Sequence, residues 1–134
     1  MTELRILVVE DDAIIATLLA EMLVGMGHNV CATESTEADA VASAARFRPD
    51  LMIVDVRLRD GNGLSAVRRI VENGQVPHVF ISADRLQEVT PGAILLWKPF
   101  REAELVEAMG HALGLRLTAL KRGARTSTVG RPRD

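Results

Sequence analysis

The stretch LRILVVEDD, residues 4–12, decides the fold because an apolar run ends abruptly in three acids. A run that is apolar except for Arg5 is typical of a strand buried on both faces, as in parallel sheets. Glu10, Asp11 and Asp12 would then lie at the carboxyl end of that strand. Polar side chains at strand ends recur at three later points of the chain, so they are its organising feature.

Asp55, Ser82 and Lys98 each end a further apolar run, and Pro99 follows the lysine. The carboxyl ends of parallel strands open onto one crevice, where α/β sheets bind their ligands. Carboxylates crowded there repel one another, so the cluster requires a cation. A set of few carboxylates plus a phosphate oxygen suits Mg²⁺, and a phosphoryl group on Asp55 is its expected partner.

Helical patterns separate these strands. Apolar residues after the first strand recur at helical spacing and predict a core-facing stripe of Ile15, Leu18, Leu19, Met22 and Met26. Thr36 predicts the start of a second helix through a variant capping box. The last helix should run from Arg101 to near Gly114. Strands that alternate with helices predict a parallel sheet with right-handed crossovers.

Bulk composition indicates one globular, cytoplasmic domain. The chain has 134 residues and is 48% hydrophobic, yet it has no apolar run of the ~18–20 residues that a membrane span needs. The N-terminus lacks a secretory pattern. Cys31 is the only cysteine, so an internal disulfide and a cysteine metal site are excluded.

Charge is distributed unevenly along the chain. Residues 115–134 contain six bases and one acid, whereas residues 1–114 contain ten bases and seventeen acids, a net charge of −7. The basic tail without aromatic residues is typical of a solvated end, and contact with nucleic acid is not expected from it.

Five short motifs resemble those of the response regulator receiver domain of bacterial two-component signalling. They are ILVVEDD at 6–12, DLMIVD at 50–55, DGNGL at 60–64, ISA at 81–83 and KPF at 98–100. The resemblance implies a doubly wound five-stranded parallel α/β sheet in the flavodoxin-like order 2-1-3-4-5. The fourth helix should be shortened to about a turn or lost, because few residues separate Ser82 from Lys98. The receiver domain would span 1–114, and 115–134 would be a basic C-terminal tail.

The resemblance also implies roles in phosphoryl transfer. Asp55 would be the phosphoacceptor, attacking the phosphorus of a phosphohistidine. Lys98, aimed by a cis bond to Pro99, would neutralise charge on the phosphoryl oxygens, and Ser82 would hydrogen-bond one of them. Such a protein assists its own phosphorylation and dephosphorylation but is not an enzyme otherwise.

Four residues would hold Mg²⁺ on the same resemblance. Asp11 would ligate the ion directly, Glu10 through water, and Arg57 through its backbone carbonyl. Asp55 is the fourth residue of the set. Helix capping is the ordinary alternative for the acids after the first strand, and it also describes Asp12.

The chain departs from the family pattern at two further positions. Leu95 occupies a position that is often Tyr or Phe in receivers, which puts the aromatic switch in doubt. Arg59 stands where a proline is frequent. Arg57 and Asp84 flank the site, and we expect them either to pair across its mouth or to remain two solvated side chains.

The expected partners are proteins. A histidine kinase or histidine phosphotransfer protein would donate the phosphoryl group, and a further protein of unknown identity would receive the signal. Ala13, Ala16 and Ala20 indicate either a docking surface on the first helix or simple helix propensity. The twenty residues after Gly114 are too few for an output domain, which favours a stand-alone receiver. Association with a membrane is not expected, and a homodimer is left open.

Three alternative functions share parts of this pattern. A phosphatase of the haloacid-dehalogenase type needs a second acid where Arg57 stands. A flavodoxin-like cofactor binder would not place Glu10, Asp11 and Asp12 against a phosphate, and no glycine-rich phosphate loop follows the first strand. A receiver-shaped interaction module that is never phosphorylated remains open.

Overall fold

The computed structural model describes residues 3–84, 89 and 91–121, and describes side chains as far as residue 114. Five strands and four helices lie within those residues. In chain order they are β1 Arg5–Val9, α1 Ala13–Gly25, β2 Asn29–Glu34, α2 Glu37–Phe47, β3 Leu51–Asp55, α3 Gly63–Val71, β4 His78–Ser82, β5 Leu95–Trp97 and α4 Glu102–Lys121.

The five strands form one parallel sheet in the order β2-β1-β3-β4-β5. This order and the α/β class confirm the predicted doubly wound fold. The strand order reverses between β1 and β3, where the register pairs Val9 with Val54. The residues that follow these two positions, Glu10 and Asp55, are therefore brought side by side at the carboxyl edge of the sheet.

Both faces of the sheet are covered by helices. Alternate residues of β1 and β3 point to opposite faces, so Ile6 and Ile53 pack with α1 and α4, whereas Leu7 and Met52 pack with α2 and α3. The central strands are buried on both sides because of this arrangement. Their ends are correspondingly fixed in position, which matters for the side chains that follow them.

The buried face of α1 differs from the predicted stripe. Ala16, Leu19 and Leu23 are the buried residues of this helix, whereas Leu18 is 55% exposed. The helix is apolar over most of its circumference, so periodicity in the sequence could not select one face. The prediction was therefore wrong for Leu18, and Ala16 belongs to the core rather than to a free alanine surface.

The loop after β3 returns close to the strand it leaves. Gly63, the first residue of α3, donates its N–H to the Val56 carbonyl at 2.9 Å. A Cβ at this position would overlap the backbone carbonyl of Asp55, so only glycine allows the helix to begin so close to β3. The side chain of Asn62 caps α3 by accepting the Ser65 N–H.

The last helix is longer than predicted. It continues past Gly114 to Lys121, so the first residues of the basic tail belong to it, and residues 122–134 lie outside the described residues. Between β4 and β5 the described residues contain no helix, and the predicted shortened fourth helix falls partly on 85–88 and 90, which lie outside them. In the described parts of the chain, no helix has the length and apolar character needed to cross a membrane.

Candidate functional site

Lys98 joins two carboxylates at the carboxyl edge of the sheet. Its Nζ lies 2.9 Å from Oε1 of Glu10 and 2.9 Å from Oδ2 of Asp55. All three side chains are largely shielded from water, since Glu10 is fully buried and Lys98 is 15% exposed. The backbone N–H of Lys98 donates to the Ser82 carbonyl at 2.8 Å, and this bond places the lysine beside the end of β4.

The Lys98–Pro99 peptide bond is cis, as predicted. The pairing of β3, β4 and β5 brings Asp55, Ser82 and Lys98, which are up to 43 residues apart, to one edge of the sheet. The ion pair between Lys98 and Glu10 was not predicted, because the sequence gives no direct measure of how far a lysine at the end of β5 can reach.

Three carboxylates form a compact oxygen cluster. Ligand oxygens of Glu10, Asp11 and Asp55 all lie within 4.8 Å of one another. Asp12, by contrast, caps α1 by accepting the backbone N–H groups of Ile14 and Ile15. The cluster consists of hard oxygen donors that carry more negative charge than Lys98 alone can balance, so it fits a divalent cation such as Mg²⁺.

Burial and crowding perturb the acid–base behaviour of this cluster. Burial raises the pKa of Glu10 to about 7, and the nearby Asp55 carboxylate acts in the same direction. The Asp12 N–H and Lys98 oppose this rise in the Glu10 pKa by hydrogen bonding to its carboxylate. Burial of Lys98 disfavours its charged form, yet hydrogen bonds to Asp55 and Glu10 outweigh burial and raise the lysine pKa.

Ser82 ends β4 with a buried hydroxyl. Its Oγ accepts the Asp84 N–H at 3.0 Å and donates to the Asp84 carbonyl at 3.2 Å. The serine thus lies at the predicted edge of the sheet, and its hydroxyl is engaged with the Asp84 backbone of its own loop. A hydrogen bond from Ser82 to a phosphoryl oxygen stays a prediction, and it would require the hydroxyl to leave the Asp84 carbonyl.

Arg57 contacts the site through its backbone and reaches across its mouth with its side chain. Its N–H donates to Oδ1 of Asp55 at 3.2 Å, and its guanidinium pairs with Asp84 at 2.8 Å. The predicted pair between Arg57 and Asp84 is therefore present. The role of the Arg57 carbonyl as a metal ligand stays a prediction.

Arg59 also contacts the site, which its place in the sequence did not indicate. Its guanidinium donates to the backbone carbonyl of Asp11 at 3.3 Å and lies at the edge of the carboxylate cluster. In the sequence this residue is only a substitution for a frequent proline. Nothing in its neighbourhood along the chain indicates that it reaches an acid 48 residues away.

Comparison with known proteins assigns this arrangement to a family. Residues 6–110 match the family described as the response regulator receiver domain. The chain belongs to this family. The motifs from which the resemblance was drawn are thus confirmed as those of a receiver, and a signalling role rather than a metabolic reaction follows at the level of the family.

Two sequence relatives of this receiver are named as regulatory proteins. The phyllosphere-induced regulator PhyR of Methylorubrum extorquens is 35% identical over 126 residues, which cover 90% of this chain and 47% of PhyR. The transcriptional regulatory protein PdtaR of Mycobacterium tuberculosis is 31% identical over 116 residues, covering 81% of this chain and 56% of that protein. The receiver spans about half the length of these curated relatives.

Solved structures agree on the fold of the receiver. The anti-anti-sigma factor PhyR of Bartonella quintana superposes with a TM-score of 0.77 at 27% identity, covering 92% of this chain and 52% of that one. The receiver domain of PhyR from Erythrobacter litoralis gives a TM-score of 0.73 at 24% identity over 96% of this chain and 98% of that domain, and this likeness shows the fold alone.

The raised pKa of Glu10 predicts a pH-dependent stability in metal-free protein. Because the folded-state pKa of about 7 exceeds the ordinary value of 4.5, Glu10 favours folding most below pH 4.5, and this stability is lost as pH rises through 7. The loss should not exceed about 3.5 kcal/mol, at ~1.4 kcal/mol for each of about 2.5 pKa units. We expect the free energy of unfolding, measured with urea in EDTA, to fall between pH 5 and pH 8 more for wild type than for Glu10→Gln.

The matched control for this measurement is Glu21→Gln, which changes an exposed acid on α1 and should leave the pH dependence of wild type intact. Parallel curves of unfolding free energy against pH for wild type and Glu10→Gln would contradict the prediction.

The ion pair between Arg57 and Asp84 predicts a coupled effect on the lifetime of a phosphorylated site. The side chains are 67% and 33% exposed, and such pairs contribute only ~0–1 kcal/mol to stability. Arg57→Ala and Asp84→Ala should each change the dephosphorylation rate up to about fivefold with little change in melting temperature, and the double variant should resemble the singles. Arg101→Ala, which removes an exposed arginine paired with Glu104, serves as control. Additive effects of the two single substitutions would show that the residues act separately.

Proposed function

We propose that this receiver accepts a phosphoryl group on Asp55, with Mg²⁺, from a histidine kinase or histidine phosphotransfer protein in the bacterial cytoplasm. The observation that carries the proposal is the position of Asp55: it ends β3, it pairs with Lys98 at 2.9 Å, and it shares an oxygen cluster with Glu10 and Asp11. Asp55 therefore lies beside the Lys98 cation and beside two acids with which it could hold a metal ion.

In the proposed reaction a carboxylate oxygen of Asp55 attacks the phosphorus of a phosphohistidine. The new O–P bond forms as the N–P bond breaks, and the imidazole leaves with its electron pair. Lys98 remains close enough to Asp55 to offset negative charge that develops on the transferring group. A bound Mg²⁺, held by Glu10, Asp11, Asp55 and the Arg57 carbonyl, would supply further neutralisation of the phosphoryl oxygens.

The donor would dock on a groove beside the site. A groove of about 1000 Å³ extends from the acids after β1 along α1 to the end of β2 and is lined in part by Ile14, Thr17 and Ala20. Ile14 is 73% exposed despite its apolar side chain. An exposed apolar side chain in a groove next to the proposed phosphoacceptor is suited to contact a helix that carries the phosphohistidine. Ala13 and Ala16 also line the groove, although Ala16 is anchored in the core.

We also propose that the phosphorylated receiver signals through contacts with a downstream protein. The anti-anti-sigma activity in the description of Bartonella PhyR belongs to a protein of which this receiver covers about half, so it is not transferred here. The haloacid-dehalogenase alternative is not favoured, because Arg57 stands where that chemistry needs an acid and pairs with Asp84. The remaining alternative is an interaction module that is never phosphorylated, and a phosphorylation assay distinguishes it from the proposed function.

We expect Asp55 to be the sole phosphoacceptor. Incubation with a labelled phosphohistidine donor and Mg²⁺ should give a hydroxylamine-sensitive label, because an acyl phosphate is cleaved by that nucleophile. The label should be absent from Asp55→Asn and from wild type in EDTA. Asp60→Asn, which alters an exposed acid in the next loop, should be labelled normally. An unphosphorylated wild-type protein would instead support the interaction module, and label that persists in Asp55→Asn would refute the assignment.

Docking on the α1 groove predicts a donor-specific defect. Ile14→Ser should lower kcat/KM for transfer from a phosphorylated histidine protein about tenfold, since loss of a buried aliphatic contact costs on the order of 1–2 kcal/mol. Transfer from acetyl phosphate, which needs no protein surface, should be unchanged. Val24→Ser is the matched control, because Val24 is 59% exposed on the same helix but is not among the residues lining the groove. Equal defects in both variants would argue against the groove as the docking surface.

A further inference from the structure

Glu37 stands outside the residues assigned to phosphoryl transfer, yet it makes an unusually dense set of contacts. Oε1 accepts the backbone N–H of Asn62 at 3.0 Å, and Oε2 accepts the Ser65 hydroxyl at 2.6 Å. Arg69 donates to the same Oε2 at 2.9 Å. One carboxylate at the start of α2 therefore receives hydrogen bonds from three residues of the β3–α3 loop and of α3.

The backbone of Glu37 holds the same loop. Its N–H donates to the Asp60 carbonyl at 3.1 Å, and the neighbouring Thr36 forms a parallel bridge with Asp60. Gly61 lies directly against the side chain of Glu37, where a Cβ would overlap the glutamate Cβ, and its φ is +91°. The loop can approach α2 so closely only because a glycine occupies this position.

These contacts lead to the phosphoacceptor in two steps. Asn62, which Glu37 holds, forms an antiparallel bridge with Arg57. Arg57 in turn donates its N–H to Oδ1 of Asp55. The chain of contacts thus runs from α2 through the β3–α3 loop to the backbone segment that carries the expected carbonyl ligand.

The carboxylate of Glu37 is held in its charged form. The Ser65 hydroxyl, followed by Arg69, lowers the Glu37 pKa below its ordinary value of 4.5. The group therefore accepts these hydrogen bonds throughout the neutral pH range, and its side chain is only 16% exposed.

We propose that Glu37 is a positioning residue that clamps the β3–α3 loop and thereby sets the affinity of the Asp55 site for Mg²⁺. The effect on Mg²⁺ affinity rests on the proposed function, whereas the clamping of the loop by Glu37 does not depend on it. Its physical basis is preorganisation: a loop that already holds a ligand carbonyl in place needs no further ordering when the ion binds.

The test combines metal affinity with local backbone exchange. Mg²⁺ binding to the full chain is measured by the fluorescence of Trp97, which follows Leu96 in β5 and adjoins Lys98, and amide hydrogen exchange reports on Asn62 and Ser65. We expect Glu37→Ala to raise the Kd for Mg²⁺ at least fivefold and to accelerate exchange at Asn62 and Ser65, whereas amides of β1 and β3 stay protected.

Glu37→Gln retains an oxygen that can accept the Asn62 N–H, so it should recover most of the affinity. Where Glu37→Ala does not fold, Ser65→Ala takes its place, because it removes a hydrogen bond to Oε2 of Glu37 and should also raise the Kd for Mg²⁺ and accelerate exchange at Asn62. Asp39→Ala removes an exposed acid from the same first turn of α2 and should leave affinity and exchange as in wild type. This control separates the clamp from a general effect of charge at the helix N-terminus.

The outcomes distinguish the two proposals. Wild-type Mg²⁺ affinity and unchanged exchange in Glu37→Ala would overturn the clamp while leaving the proposed function intact. A wild-type protein that does not bind millimolar Mg²⁺ would overturn the proposed function and the effect on metal affinity. Exchange at Asn62 would still decide whether Glu37 holds the loop.

Discussion

Repulsion between buried carboxylates is the constraint on which the arrangement of this receiver depends. The parallel register of β1 and β3 brings Glu10 and Asp55 side by side, and the burial that fixes both strands also removes the water that would screen their charges. Lys98 offsets this repulsion by pairing with both acids. Because β5 must deliver that lysine, the fifth strand is as much a part of the site as the two strands that carry the acids.

Lys98 carries one positive charge beside three acids, so the lysine alone leaves a deficit of positive charge in the cluster. Burial is the main cause of the raised pKa of Glu10, and the nearby Asp55 carboxylate acts in the same direction, so a proton on Glu10 would relieve part of this deficit. A divalent ion would relieve the same deficit without a proton. Proton uptake and a bound divalent ion would therefore compete for one cluster.

Much of the fold and of the site could be predicted from apolar runs and the residues that end them. Asp55, Ser82 and Lys98 were located correctly because strand ends in a parallel sheet share one edge. The buried face of α1 could not be predicted, since Ile14, Leu18 and Leu23 are all apolar and only tertiary packing selects among them. Contacts such as Glu37 to Asn62 join residues 25 positions apart through side chains, and no local pattern encodes them.

Contacts of Asp84 connect the loop after β4 with the loop after β3. Leu95 in β5 is partly buried and packs against the core cluster that contains Phe80. It is an aliphatic residue at a position that is often Tyr or Phe in receivers. Ser82 bonds the backbone of Asp84, and the Asp84 carboxylate pairs with Arg57. A hydroxyl drawn towards a phosphoryl oxygen would have to leave the Asp84 carbonyl. Such a movement would reach Arg57, whose own N–H contacts Asp55. The loop after β4 and the loop after β3 are therefore linked beside Asp55, and in the proposed function a signal would leave the site through their shared ion pair.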